Sequence, residues 1–228
     1  MTPPPQPIEI VYEDDVLVAV NKPARMPAHG GRVAGRPDLL STVEKQLGRR
    51  LTLFHRLDID TTGIVLLGKN AAINPAMAAL FAEKRIRKVY WAVVRGRWRP
   101  EWNRIETRID RHPEGGFANV IAGGRSAVST CRLLRANDEK SWIEVLPKTG
   151  RTHQVRLHCL AMGCPILGDR SYGEAADIPL ALHAWRVDFL HPVSAVPLRL
   201  CARPPGYWRE TWLAGLEAGA ILDKLGIP

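Results

Sequence analysis

Three short segments gather groups able to do chemistry inside otherwise apolar surroundings. The first is Phe54-His55-Arg56-Leu57-Asp58-Ile59-Asp60-Thr61-Thr62-Gly63, which runs straight into the apolar stretch at 64–67. An imidazole, a guanidinium and carboxylates beside a buried strand are costly unless they are paired or serve a site. The same residues also suit a turn in which Asp58 or Asp60 accepts local amide protons, helped by Thr61 and Thr62, and both readings stay open. The second segment is Lys148-Thr149-Gly150-Arg151-Thr152-His153-Gln154-Val155-Arg156-Leu157-His158. A glycine ahead of a helix start, with Arg and His interspersed, suits phosphate or carboxylate binding. Cations at that end oppose the helix dipole, so Arg151, His153 and Arg156 point to an anionic partner. His153 and Arg156 are three apart and would share a helical face. The third segment is Arg87-Lys88-Val89-Tyr90-Trp91-Ala92-Val93-Val94. Tyr90 and Trp91 are adjacent on a strand, so they face opposite sides, and a core aromatic is the plainer reading.

These segments need elements to hold them. Residues 8–12 and 16–20 read as two strands around the acidic turn Glu13-Asp14-Asp15. Residues 22–31 carry two prolines and two glycines and must be loop. A helix is predicted over 39–47, starting near Ser41 with Glu44 completing a capping box. Residues 64–67 form a short buried strand. A helix over 71–84 is limited at its start by Pro75, and 89–94 is a further strand. The stretch 101–127, with two Gly-Gly pairs, reads as hairpins with variable loops, and 129–134 pairs with 141–146. The clearest helix of the second half spans 152–162, capped by Thr152, with Val155, Cys159 and Met162 as its apolar stripe. Late strands are predicted at 182–189 and 196–201, and a terminal helix at 208–225 breaks near Gly215. Strands outnumber helices without alternating regularly, which predicts an α+β fold: a mixed, mostly antiparallel central sheet with flanking helices.

Composition narrows the class. In 228 residues, 46% are hydrophobic and 24% charged, which fits a globular chain with a sizeable core. Residues 1–7, rich in proline, read as an extended arm, and 8–228 as a single domain. Lys and Arg number 32 against 23 Asp and Glu, for a net charge of +9, which favours a polyanion such as nucleic acid or an acidic membrane surface. No apolar run is long enough to span a membrane, and the N-terminus does not read as a secretory signal. Four scattered cysteines suit neither a disulfide scaffold nor zinc, and reduced thiols in the cytoplasm fit them. The His-Glu-x-x-His, Walker, Gly-x-Ser-x-Gly and Gly-x-Gly-x-x-Gly patterns are all missing, so no metal and no cofactor is expected.

Taken together and in this order, the segments resemble the RluA-type pseudouridine synthase family. His55-Arg56-Leu57-Asp58 with Thr61-Thr62-Gly63 matches its H-R-L-D-x-x-T-S-G motif. Lys88, Tyr90 and Ala92 match K-x-Y-x-A. Gly150-Arg151-Thr152-His153-Gln154-Val155-Arg156 matches G-R-[ST]-H-Q-[ILV]-R, and residues 165–173 match P-I-x-G-D-x-x-Y-G. Tyr12-Glu13-Asp14-Asp15, Asn21-Lys22-Pro23 and Leu182-His183-Ala184 fit its first and last motifs, so the likeness covers about residues 8–205. Two positions depart from the pattern. Arg25 stands where glycine is usual after Lys-Pro-Ala, with an expected effect on the loop's path or its RNA contacts, and Thr62 stands where serine is usual. Some relatives carry an S4-type RNA-binding domain, which this chain is expected to lack.

The resemblance implies the pseudouridine synthase catalytic fold and an isomerase that turns a uridine of ribosomal or transfer RNA into pseudouridine. A non-catalytic RNA-binding or ribosome-assembly protein on the same fold is the alternative. By match to the motifs, Asp58 is the catalytic aspartate, acting as a nucleophile or by assisting a glycal-like intermediate. Arg156 is its implied cationic partner. Tyr90 stacks on the base and assists late proton removal. Arg56 fills the space left by a flipped nucleotide, His55 shapes the motif through hydrogen bonds, and Leu182 is an apolar wall for the base. Arg151 and His153 are implied substrate contacts, and the basic charge makes Lys22, Arg25 and Arg32 candidate RNA contacts. The expected state is a cytoplasmic monomer bound to RNA, with no membrane partner.

Overall fold

The computed structural model describes residues 7–30, 37–173 and 178–224. Six of the seven residues assigned to the N-terminal arm, together with Arg32 and Leu225, fall outside them. Eleven strands are described: β1 (Glu9–Glu13), β2 (Leu17–Lys22), β3 (Thr52–Leu53), β4 (Thr62–Gly68), β5 (Arg87–Arg95), β6 (Arg104–Arg111), β7 (Phe117–Val120), β8 (Arg125–Ala136), β9 (Lys140–Pro147), β10 (Leu182–Leu190) and β11 (Pro197–Cys201). The α-helices are α1 (Leu39–Leu47), α2 (Asn74–Ala82), α3 (Gln154–Ala161) and α4 (Gly219–Lys224). The expected α+β class with mostly antiparallel strands holds. No helix among the described residues is long and apolar enough to cross a membrane.

The chain divides into two compact units. One holds the residues up to Ile86 together with Trp185–Arg203, and the other holds Arg87–Ala184 and the segment from Pro204 onward.

In the first unit the strands run β1-β2-β4-β10, with β3 added to β4 and β11 to β10. Every residue of β4 is buried, as its unbroken apolar run requires. Leu17 and Ala19 of β2 and Ile64 and Leu66 of β4 share one face. There they pack with Met77 and Leu80 of α2 and with Val187 and Phe189 of β10. Two cap expectations need correction. Asp38, not Ser41, caps α1, its carboxylate accepting from the Ser41 amide at 2.8 Å. Glu44 is occupied elsewhere, with the Leu51 amide and the Arg50 guanidinium. An aspartate placed before Leu39 reaches the same orphan amides that a serine three residues later would already have passed. Pro75 does limit α2, and a 3₁₀ turn over Ala71–Ile73 leads into it.

In the second unit the order is β5-β9-β8-β6-β7, with antiparallel registers throughout. Trp91 and Trp142 meet edge to face at 5.0 Å in its core, so Trp91 is the core aromatic of its segment. Helix α3 lies against β6, β7 and β8, with Leu157 packed on Ile109 and Ala127. The predicted α3 is two residues too long at its start. Gln154 opens the helix, His153 sits at the cap position with φ 56, and Thr152 provides no side-chain cap. The terminal segment is interrupted as expected: a π-helical turn over Trp208–Trp212 precedes the short α4.

Candidate active site

His55, Arg56 and Asp58 lie on the connection between β3 and β4 in the first unit. The chain turns there because the Thr61 amide donates to the Asp58 carbonyl at 3.1 Å. His55 accepts the Leu66 amide at its Nε2, 3.1 Å away, which ties the start of the motif to β4. Leu57 is buried while Arg56 is exposed, so the alternation turns the guanidinium outward. Asp58 is half-buried.

The element that fixes this turn is Lys22, and here one expectation fails. Lys22 is 0% exposed. Its ammonium donates to the carbonyls of Pro23 and Met26 at 2.8 Å and of Ile59 at 2.9 Å. Three acceptors use all three ammonium protons, so Lys22 has neither the position nor the donors for an RNA phosphate. Instead it joins loop 23–30 to the turn that carries Asp58, and the Met26 amide closes the same junction onto the Ile59 carbonyl at 3.2 Å. Burial pulls the Lys22 pKa down to about 7, against the upward pull of Asp60 and Asp58. Arg25, next along this loop, takes φ 59. That is the left-handed region in which glycine costs least, a conformation open to the glycine usual in the family.

Tyr90, Arg151, His153, Arg156 and Leu182 belong to the second unit. Arg156, 8% exposed, projects from the first turn of α3 onto Asp169, 1% exposed. Its Nε donates to Oδ2 and its Nη2 to Oδ1, both at 2.7 Å. Asp169 Oδ1 also accepts the Ser171 and Tyr172 amides at 3.0 and 3.1 Å. A buried pair holds when its remaining lone pairs are satisfied in this way. The Arg156 guanidinium also lies 4.8 Å from the Tyr172 ring centroid. Tyr172 donates its hydroxyl proton to the Phe117 carbonyl at 2.9 Å, so His153, 2.7 Å away through Nδ1, is the donor in their contact. His153 and Arg156 therefore converge on one tyrosine, although His153 lies outside the helical turn.

Gln154 replaces the missing cap. Its carbonyl accepts from the Thr149 hydroxyl at 2.7 Å and the Arg151 amide at 3.0 Å, while its amide donates to the Val128 carbonyl and Ser129 hydroxyl of β8. Arg151 stands apart from the Arg156 cluster, its Nε donating to the Ser126 carbonyl at 2.9 Å. Tyr90 is half-buried on β5, and Leu182 is buried at the start of β10. Asp169, Tyr172 and Gln154 all sit in the motif segments, but a sequence does not show which residue receives a guanidinium. Gly168 sets the Asp169 position: it takes φ 74, and a Cβ there would lie 2.0 Å from the Pro179 carbonyl oxygen.

Among the described residues no group of three or more His, Cys, Asp or Glu side chains is arranged to hold a metal ion. The arrangement offers, in one unit, a carboxylate on a turn pinned by a buried cation. In the other it offers a rigidly held guanidinium beside aromatic groups.

The profile of the RNA pseudouridylate synthase family matches residues 16–161. An uncharacterized RNA pseudouridine synthase of Synechocystis is 34% identical over 223 residues, covering 90% of this chain and 68% of the relative. The ribosomal large subunit pseudouridine synthase C of Vibrio cholerae is 35% identical over 204 residues, covering 85% of this chain and 64% of that enzyme. Among solved structures, human RNA pseudouridylate synthase domain containing 1 superposes with a TM-score of 0.74 at 25% identity, covering 90% of this chain and 87% of that one. Human RNA pseudouridylate synthase domain containing 4 gives 0.73 at 26%, covering 88% and 90%. With a profile matching more than half its length and relatives above 30% identity, this chain belongs to the RNA pseudouridylate synthase family.

Proposed function

We propose that this protein isomerises a uridine of RNA to pseudouridine, with Asp58 as the group that acts at the sugar. The reaction breaks the N1–C1′ bond, turns the base and joins C5 to C1′, with the C5 proton lost to water. The observation that carries this reading is the Asp58 turn itself. A carboxylate in a family-matched motif is half-buried on a backbone anchored by a fully buried ammonium. The anchored backbone fixes the place on the turn from which the carboxylate acts.

Tyr90 stacks on the base and helps remove the C5 proton, Leu182 walls the base, and Arg156 supplies a fixed cationic group to the reaction. Arg56, exposed and without a hydrogen bond or ion pair among the described residues, enters the space of the flipped nucleotide. Flipping costs a few kcal/mol, and the net charge of +9 draws the phosphate backbone in. Relatives named for the ribosomal large subunit favour ribosomal over transfer RNA as substrate. The protein acts as a monomer in the cytoplasm.

Tritium release from RNA carrying 5-tritiated uridine tests the assignment. Asp58→Asn should bind RNA and fold as wild type does, yet release no tritium above background. Substantial turnover by Asp58→Asn would overturn it. Comparing pseudouridine positions in RNA from cells with and without the gene identifies the target.

A further inference from the structure

Lys88 lies on β5 two residues before Tyr90. Residues two apart on a strand share a face, so Lys88 and Tyr90 lie on the same side of β5, both half-buried between the buried Val89 and Trp91. A Cβ placed on Gly150 would be 3.7 Å from Lys88 Nζ, so the ammonium reaches the loop leading into α3. It makes no hydrogen bond and no ion pair among the described residues. Burial lowers its pKa, and no charged neighbour offsets this. Two other lysines drawn toward the interior are matched: Lys22 by three carbonyls, and Lys69 by Glu13 and the Asp14 carbonyl. A desolvated ammonium without acceptors is costly, and an ammonium can only donate. The missing partner is therefore an acceptor, best an anion. The small residue at 150 keeps side-chain atoms out of the space before it.

We propose that Lys88 binds a phosphate of the RNA flanking the uridine that Tyr90 contacts, making it a substrate-positioning residue. This rests on the reading of the protein as an RNA pseudouridine synthase. RNA carries one anionic linkage per nucleotide, so a base lying against Tyr90 brings a phosphate to the same face.

The test measures binding of a short oligouridylate against salt for wild type, Lys88→Met and Lys88→Arg. Losing one phosphate contact should weaken binding about tenfold in Lys88→Met and reduce the log–log salt slope by about 0.7, with Lys88→Arg close to wild type. Replacing linkages one at a time by uncharged methylphosphonate should reveal one linkage whose neutralisation weakens wild-type binding but leaves Lys88→Met unaffected. Thermal unfolding of Lys88→Met should match or exceed wild type, because no internal partner is lost. If Lys88→Met does not fold, Lys88→Gln carries the same comparison. An unchanged salt slope with equal methylphosphonate penalties in both proteins overturns the proposal, as does a lowered unfolding temperature with unaltered binding. Tritium release by wild type runs in parallel. Its absence sinks the enzymatic reading, whereas wild-type turnover with unaltered binding by Lys88→Met sinks only the Lys88 assignment.

Discussion

The two units each bury a cation next to a residue matched to the family's chemistry, and they stabilise it differently. Lys22 spreads its charge over three neutral carbonyls, from Pro23, Met26 and Ile59, and burial still pulls its pKa down to about 7. Arg156 meets a carboxylate through two parallel hydrogen bonds, with two backbone amides completing Asp169. The carbonyl cage fastens two stretches of backbone to each other, one of which carries Asp58. The ion pair instead fixes one side chain, so its guanidinium is aimed before any ligand arrives. A flexible stem with three donors suits the first task, and a planar fork suits the second.

The largest expected effect breaks the ion-pair side. Gly168→Ala would place a Cβ 2.0 Å from the Pro179 oxygen at a residue with φ 74. The backbone must then move and carry Asp169 with it. A loss of more than about 4 kcal/mol, among the exceptional values for single substitutions, is expected in urea unfolding. A variant within 1 kcal/mol of wild type would show that the Asp169 position does not depend on this glycine.

On the carbonyl-cage side, Lys22→Met keeps the length and removes all three donors. Three buried carbonyls lose their partners, at about 1–3 kcal/mol for each unsatisfied group before relaxation, partly offset by the removed cost of a buried charge. A net loss of roughly 2–4 kcal/mol is expected. Turnover should fall with it, while RNA affinity and its salt slope stay near wild type because Lys22 touches no phosphate. A reduced salt slope would return Lys22 to the RNA contacts.

The smallest effect sharpens the comparison through a buried group with no ionic partner. His158 is 0% exposed, bonded to Ser129 and Thr107 hydroxyls, and burial lowers its pKa to about 4 from 6.5. Between those values the unfolded chain binds the proton and the folded one does not. Stability is thus greatest above pH 6.5 and falls as pH drops toward 4, by up to roughly 3 kcal/mol. In His158→Gln that part of the pH dependence should vanish, as read from unfolding midpoints between pH 4 and 7. An unaltered slope would assign it to other groups.

The strands were legible because their residue types vary with period two or form continuous apolar runs. The β1-β2 hairpin, β4, β5 and the β8-β9 pair all follow from that. Motif residues were legible as a set because their chemical types recur in fixed order. The caps were less so: Asp38 and Ser41 are both capping residues, and only backbone geometry selects between them. Gln154 gave no cap signal because it works through its side chain against β8, a contact between residues 25 and 26 apart in sequence. A lysine at a strand end is usually solvated, and no local pattern reports that three carbonyls surround Lys22.

By itself, then, the sequence determined the class of fold, the order of the strands along the chain and the residue types available for chemistry, since these depend on local propensity and periodicity. Only the tertiary structure decided the fate of each charge: Lys22 sealed under the Asp58 turn, Arg156 locked to Asp169, and Lys88 left unmatched beside Tyr90. Burial and pairing arise from contacts between segments distant along the chain, and electrostatic cost depends on those surroundings rather than on the residue alone.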